Sequence, residues 1–196
     1  MNPQTYIFIG RSGCGKGTQA ALLQEHLKNN FSESPILYLE TGQSFRKFID
    51  ESTYTSGLSK KIYHDADPQP EFLAIWMWSH FMVEDFKGNE HLVIDGTPRS
   101  YPEALVLSSA LKFYNRRPTV IYINVGREWS EERLKGRGRI DDVKAEDVKK
   151  RLDWFDSTIL PAVEYFRYSK DCNFLDINGE RTIEEIHQEM MTRIAA

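Results

Sequence analysis

A glycine-rich run near the N-terminus constrains the fold of this chain more than any other feature. Gly10 to Thr18 reads GRSGCGKGT and follows Thr5 to Ile9, a short apolar stretch that favours a β-strand. Gly10, Gly15 and Lys16 fit the G-x-x-x-x-G-K frame, in which backbone N–H groups surround phosphate oxygens and the lysine reaches the terminal phosphates. A helix beginning near Lys16 would add its positive N-terminal end. The motif therefore predicts a polyphosphate site between the first strand and the first helix.

Short apolar runs alternate with helical patterns along the whole chain. Strands are predicted over 6–9, 36–39, 91–94, 120–123 and 173–176, and helices over 16–29, 42–51, 70–86, 100–113, 128–135, 145–167 and 182–193. Because parallel strands need crossover connections, this order predicts an α/β P-loop fold of three layers, a five-stranded parallel sheet flanked by helices. Ligands of such a sheet bind at the carboxyl ends of its strands.

Two stretches do not fit the strand-helix alternation. About 43–69 is rich in Ser, Asp and Tyr, and about 135–142 is rich in Arg and Gly. We expect the first to be a flap that binds the acceptor and the second to be a short lid, both mobile. Repeats, low-complexity tracts and long linkers are lacking, so residues 1–196 are expected to form a single domain.

Composition narrows the class of protein. The chain has 196 residues, of which 40% are apolar and 12% aromatic, enough for a sizeable core. A net charge of -4 argues against a nucleic-acid partner. No apolar stretch approaches the roughly 20 residues of a membrane span, and no signal-peptide layout is present, so a cytoplasmic location is expected. Cys14 and Cys172 are too few and too far apart to suggest a metal site or a disulfide framework.

A second motif follows the predicted strand at 91–94. It reads Asp95-Gly96-Thr97-Pro98-Arg99, which puts Asp95 at a carboxyl end of the sheet. A carboxylate there can orient metal-bound water near the phosphate loop. Arg99 offers a planar fork suited to a phosphate. This segment is therefore a candidate for a second phosphate site.

Together these segments resemble the adenylate kinases and their UMP/CMP kinase relatives. Gly17 stands between Lys16 and Thr18, as in that family, where a plain phosphate loop has Ser or Thr directly after the lysine. Thr41 to Arg46 is similar to the family's Thr-Gly-Asp-x-x-Arg, with Gln43 in place of Asp, and DGTPR is similar to Asp-Gly-Phe-Pro-Arg, with Thr97 in place of Phe. The similarity extends from residue 5 to about 190.

An arginine-rich segment resembles the family's lid in its short form. It reads Arg133-x-x-x-Arg137-x-Arg139-x-Asp141-Asp142, and a helix with Lys150-Arg151-Leu152 follows. The resemblance implies that Arg133 and Arg137 cover ATP and that Arg139 and Arg151 clamp phosphates around the transferred group. Phosphoryl transfer suits such an arrangement, because catalysis comes from positioning and from cations that neutralise the equatorial oxygens. Asp141 and Asp142 would anchor the arginines in the closed lid.

The resemblance implies reversible transfer of the ATP γ-phosphoryl group to a nucleoside monophosphate, most simply ATP + AMP = 2 ADP, by a monomer. Mg2+ would bind with ATP, without direct protein ligands and with Asp95 acting through water. The implied catalytic residues are Lys16, Arg99, Arg133, Arg139 and Arg151. The implied ATP site comprises Gly13, Cys14, Gly15, Lys16, Gly17, Thr18, Arg133, Arg137, Gly179 and Arg181. The implied monophosphate site comprises Thr41, Gly42, Arg46, Asp67, Pro68, Gln69, Gly96, Thr97, Pro98, Arg99, Glu103, Arg139 and Arg151.

Glu103, four residues after Arg99, leaves undecided which base the acceptor nucleotide carries. Adenylate kinases typically have Gln there, whose amide can donate to adenine N1 and accept from the 6-amino group. An ionised glutamate only accepts, which would suit guanine or uracil, unless it is protonated or points away from the base. A UMP/CMP or other base-specific kinase is therefore an alternative to an AMP kinase. A catalytically weak nucleotide-binding regulatory protein is another, given Gln43, Thr97 and Glu103. The aromatic stretch Trp76-Met77-Trp78 is interpreted as core packing.

Overall fold

The computed structural model describes residues 3–136 and 145–195. Five parallel strands form its sheet, in the order β2-β3-β1-β4-β5. Their bounds are Thr5–Gly10 (β1), Ile36–Glu40 (β2), His91–Asp95 (β3), Thr119–Asn124 (β4) and Asn173–Asn178 (β5). This confirms the predicted sheet. β1 lies in the centre, so the phosphate loop that follows it has β3 on one side and β4 on the other.

Helices connect the strands and cover both faces of the sheet. They span Lys16–Asn30 (α1), Thr41–Phe48 (α2), Tyr54–His64 (α3), Glu71–Asp85 (α4), Tyr101–Phe113 (α5), Arg127–Lys135 (α6), Ala145–Trp154 (α7), Leu160–Tyr168 (α8) and Ile183–Ala195 (α9). In the described residues, no helix is both long enough and apolar enough to cross a bilayer.

The core has two layers, one on each face of the sheet. Ile7 and Ile9 of β1 pack with α4, α5 and α8, and Trp78 of α4 belongs to this layer, whereas Trp76 is partly exposed. Tyr6 and Phe8 point to the other face and pack with α1 and α9. Alternate residues of a parallel strand are thus buried on opposite faces, as expected of a sheet covered by helices on both sides.

Two local elements differ from the sequence-based prediction. The predicted helix over 145–167 is interrupted by a π-helical turn, Phe155–Ile159, just before Pro161 near the start of α8. Proline has no N–H to donate to the preceding turn, and a π turn is one way for a helix to accommodate this. Helix α3 was not predicted, because Gly57 interrupts its pattern. A reciprocal cap begins this helix: Thr53 Oγ1 accepts from the Ser56 N–H and Ser56 Oγ accepts from the Thr53 N–H, each at 3.0 Å.

The predicted lid over 135–142 lies largely outside the described residues. Its two flanking helices are described, and they pack through the buried side chains of Leu134 on α6 and of Val148 and Leu152 on α7. Helix α6 also contacts the phosphate loop, because Ser130 Oγ donates to the carbonyl of Ser12.

Candidate active site

The phosphate loop turns tightly between β1 and α1. Gly13 and Gly15 adopt φ values of 83° and 91°, which only glycine takes readily. When residues in the left-handed backbone conformation alternate with residues in the right-handed one, their successive N–H groups point inward and form an anion-binding concavity. Lys16 is the first residue of α1, and its Nζ lies 3.3 Å from the Gly10 carbonyl oxygen and 3.4 Å from that of Arg11. The ammonium group is therefore held over the loop.

The end of β3 lies close to the residue that follows Lys16. A Cβ atom at position 17 would lie 3.4 Å from Asp95 Oδ2, which is an ordinary van der Waals contact. Asp95 therefore adjoins the phosphate loop at Gly17.

Two acidic residues end adjacent strands at this edge of the sheet. The register of β2 and β3 pairs Glu40 with Asp95, and the Tyr38 hydroxyl donates to Asp95 Oδ2 at 3.3 Å. Asp95 is buried, and its Oδ1 has no hydrogen-bond partner among the described residues. Burial raises the pKa of Asp95, the nearby charge of Lys16 opposes this effect, and the charge of Glu40 adds to it. The result is a buried carboxyl with one free oxygen close to the phosphate loop.

Two arginines converge at the start of α2. A Cβ atom at Gly42 would lie 3.4 Å from Arg46 Nη1 and 3.6 Å from Arg99 Nη2, so both guanidinium groups face the start of α2. Arg46 Nη2 forms an ion pair with Glu40 Oε1 at 3.0 Å, and Arg99 Nε donates to the Gly96 carbonyl at 2.7 Å. Each arginine is oriented by one anchoring contact and keeps further N–H groups for a ligand.

A single cavity of about 980 Å³ joins the phosphate loop to these arginines. Its volume is near the upper end of the usual range for ligand sites. The predicted site residues that line it are Gly13, Gly15, Lys16, Gly17, Thr18, Gly42, Arg46, Asp67, Pro68, Gln69, Asp95, Gly96, Pro98, Arg99, Arg133 and Arg151. The cavity thus brings segments from β1, β2, β3, α6 and α7 together.

Other predicted site residues lie off the cavity wall or outside the described residues. Cys14, Thr41, Thr97 and Glu103 are buried behind the wall. Gly179 packs against β4, with its N–H donating to the Asn124 carbonyl at 2.8 Å, and Arg181 forms an ion pair with Glu189. Arg137, Arg139, Asp141 and Asp142 are outside the described residues. Gln43, where the family has Asp, is exposed on α2.

Sequence reasoning missed several residues of the cavity wall, among them three that contact or adjoin predicted site residues: Tyr38, Glu40 and Trp154. Tyr38 and Glu40 orient Asp95 and Arg46, and Trp154 lies beside Arg99, whose Cζ is 6.0 Å from the indole ring. The position of Glu40 at the end of a strand and directly before Thr41 could have revealed it. The aromatic rings carry no such signal, because aromatic residues are also common in cores.

The described residues offer no cluster of three or more His, Cys, Asp or Glu side chains that could hold a metal ion. What they do offer is the free Oδ1 of Asp95 beside the phosphate loop. A single carboxylate oxygen fits Mg2+ that is coordinated mainly by nucleotide phosphates and water, with the carboxylate contacting a bound water.

The fold and this cavity define a P-loop nucleoside monophosphate kinase, with a phosphate loop and a pair of arginines in one cleft. A family model described as "Adenylate kinase" matches residues 8–171. The chain belongs to the adenylate kinase family.

Several curated relatives agree with this assignment. An "Adenylate kinase" of Prochlorococcus marinus (strain MIT 9515) is 32% identical over 187 residues, which cover 94% of this chain and 97% of the relative. An "Adenylate kinase" of Leptospira biflexa serovar Patoc (strain Patoc 1 / Ames) is 31% identical, with coverage of 96% and 98%. "Adenylate kinase 1" of Nostoc sp. (strain PCC 7120 / SAG 25.82 / UTEX 2576) is 29% identical, with coverage of 97% and 98%. The similarity therefore extends over nearly the full length.

Proposed function

We propose that this protein transfers the γ-phosphoryl group of ATP reversibly to AMP and so interconverts ATP + AMP with two ADP. The observation that carries the proposal is the single cavity in which Lys16 of the phosphate loop faces the same space as Arg46 and Arg99. A cleft lined by a phosphate loop and by two arginines suits two phosphorylated substrates bound together, as in-line transfer requires.

At the donor end, the N–H groups of the phosphate loop and the N-terminus of α1 would bind the β- and γ-phosphates of ATP. Lys16 Nζ, which lies over the carbonyls of Gly10 and Arg11, would move to the phosphate oxygens and neutralise their charge. Mg2+ bound with ATP would offset the negative charge of the phosphates, and Asp95 is placed to orient one of its waters.

At the acceptor end, Arg99 and Arg46 would grip the α-phosphate of the monophosphate through their planar forks. Arg133 and Arg151 also line the cavity and would stabilise the transferred group. On the spacing of the lid motif, we assign Arg139 to the same task and Arg137, with Arg133, to covering ATP. The loop at Asp67, Pro68 and Gln69 lines the cavity where the acceptor base would lie.

We infer that the protein acts as a monomer, on the resemblance to the family. We place the protein in the cytoplasm. Its two described cysteines, Cys14 and Cys172, are buried free thiols, which agrees with a reducing compartment.

A panel of acceptors tests the proposed function. Initial rates with ATP-Mg2+ and AMP, GMP, CMP or UMP, each varied from below to above its KM, should give the largest kcat/KM for AMP. Activity confined to CMP or UMP would overturn the choice of AMP, and tight ATP binding without turnover on any of the four would favour a regulatory nucleotide-binding role. Lys16→Met should fold normally and lose at least about a thousandfold in kcat, since it removes a charge that stabilises the transition state. Retained activity in this variant would refute the role of Lys16.

A further inference from the structure

Glu103 lies behind the acceptor arginine and off the cavity wall. Its side chain is 1% exposed, and its Oε2 accepts a hydrogen bond from the backbone N–H of Arg99 at 2.6 Å. The Glu103 N–H in turn donates to Ser100 Oγ at 3.1 Å, which caps α5. The carboxylate therefore bridges the first turn of α5 and the segment that carries Arg99. A base in the cavity would not meet it directly.

The polar neighbours of Glu103 are also buried. Burial raises the pKa of Glu103, and the backbone N–H and the charge of Arg99 oppose this effect, with smaller opposing effects from Thr97 and Trp78. Glu103 Oε1 and Trp78 Nε1 have no hydrogen-bond partner among the described residues. Thr97 Oγ1 lies 2.6 Å from Thr41 Oγ1, so this buried group extends to the first residue of α2. The side chains of Trp78, Thr97 and Thr41 are each 1% exposed.

The Glu103 carboxylate is held through Oε2, which accepts from the Arg99 N–H, whereas Oε1 has no hydrogen-bond partner among the described residues. Turning the carboxylate toward the cavity would break the bond to the Arg99 N–H and leave that group unsatisfied, which is costly in a buried place. Arg99 itself is fixed from the other side, through Nε to the Gly96 carbonyl. The two contacts together set both the backbone and the side chain of Arg99.

We propose that Glu103 is a positioning residue for phosphate binding: by accepting from the Arg99 backbone it holds the guanidinium group toward the acceptor phosphate and does not read the base. This inference rests on the proposed function, because it assumes that Arg99 binds the acceptor phosphate. Base recognition then belongs to groups on the cavity wall, such as the loop of Asp67, Pro68 and Gln69.

Two fragments of AMP separate the two roles. Adenosine carries the base without the phosphate, and ribose 5-phosphate carries the phosphate without the base. The dissociation constants of AMP, adenosine and ribose 5-phosphate would be measured by titration of the full chain. In Glu103→Ala, AMP and ribose 5-phosphate should bind about tenfold more weakly, as expected for the loss of one charge-assisted hydrogen bond, and adenosine should be unchanged.

Glu103→Gln gives the conservative rescue. Its amide oxygen can still accept from the Arg99 N–H, so binding of all three ligands should stay within about threefold of the wild type. A base-reading residue would behave differently, because an amide presents a donor that a carboxylate lacks. If Glu103→Gln changes the affinity for adenosine, or Glu103→Ala weakens adenosine and spares ribose 5-phosphate, the proposal is wrong. If Glu103→Ala fails to fold, the affinity of Glu103→Gln for adenosine still tests whether Glu103 reads the base.

Glu90 supplies a matched control. It is also a buried glutamate, and it accepts from the backbone N–H groups of Lys87 and Gly88 before β3, at the opposite end of that strand. Glu90→Ala should leave all three dissociation constants unchanged. If Glu90→Ala weakened phosphate binding as much as Glu103→Ala, the Glu103 effect would reflect general destabilisation, and the proposal would be wrong. Because titration needs no turnover, fragments that bind as expected to a protein unable to phosphorylate AMP would refute the proposed function alone.

Discussion

Arg11 Nη1 lies 2.5 Å from Asp156 Oδ1, so the phosphate loop is joined to the π-helical turn that follows α7. Arg11 Nε also donates to the Val125 carbonyl at 3.1 Å, and its Cζ lies 4.5 Å above the centre of the Phe155 ring. The Asp156 carboxylate also forms an ion pair with Arg127, whose Nη1 lies 3.0 Å from Asp156 Oδ2. The helical run that contains Arg151 is thereby tied to the loop that would bind ATP.

Asp156→Asn should weaken this connection. We expect a loss of about 1 kcal/mol in the free energy of unfolding, discounted for the partial exposure of Asp156, and a several-fold rise in the KM for ATP. Urea denaturation and steady-state kinetics would measure the two effects. Glu131→Gln, which breaks the exposed pair of Glu131 with Lys135, is the control and should change neither quantity. Equal behaviour of the two variants would show that the Arg11 contact contributes nothing.

Arg99→Lys should separate acceptor binding from donor binding. Lysine keeps a positive charge but loses the planar fork, so we expect kcat/KM for AMP to fall about a hundredfold while the KM for ATP stays within about twofold. Steady-state kinetics with each substrate varied in turn would test this. Arg117→Lys, on the exposed turn before β4, is the control. A rise in the KM for ATP that matches the AMP effect would contradict the assignment of Arg99 to the acceptor.

Asp95→Asn should maintain or raise the stability at pH 7 and lower the activity. Burial raises the pKa of Asp95 above its ordinary value of 3.8, so between that value and the raised pKa the folded protein binds more protons than the unfolded chain. The contribution of Asp95 to stability is therefore greatest below 3.8 and is lost as the pH rises through the raised pKa. At pH 7 the Asn variant should be at least as stable as the wild type, with kcat reduced about a hundredfold or more.

Denaturation curves at several pH values would test the Asp95 prediction. The wild type should lose more stability than Asp95→Asn as the pH rises above the ordinary carboxyl range. Identical pH profiles for the two proteins would argue against a raised pKa for Asp95. A variant with full activity would argue against its place in the site.

Gly179→Ala tests whether Gly179 acts in packing. A Cβ atom there would lie 2.6 Å from Ile123 Cγ2 and 2.7 Å from Val125 Cγ1, which is too close for either contact. We expect the free energy of unfolding to fall by about 1–3 kcal/mol. Gly57→Ala is the opposite case, since no atom lies within 4 Å of its Cβ position in α3, and it should stabilise by up to about 1 kcal/mol. Thermal denaturation would compare the two, and a stable Gly179→Ala variant would contradict the packing role.

Much of the fold could be predicted because it follows from local patterns. The phosphate loop, the alternation of strands and helices, and the segment from Asp95 to Arg99 each lie within a short stretch of sequence. Helix α3 and the π-helical turn were missed for local reasons too: Gly57 weakens the helical pattern of one, and Pro161 perturbs a helix that otherwise looks continuous.

The sequence by itself determined the family, the alternation of strands and helices and the cavity-lining positions of Lys16, Arg46 and Arg99, whereas the order of the strands in the sheet came from the tertiary structure. Only the tertiary structure decided that Glu40 pairs with Asp95, that Arg11 reaches Asp156, and that Glu103 turns toward the Arg99 backbone and away from the cavity. The physical reason is that a motif specifies backbone geometry over a few residues. The direction of a buried side chain depends on which donors the folded chain brings to it, and for Glu103 this donor is the backbone N–H of Arg99.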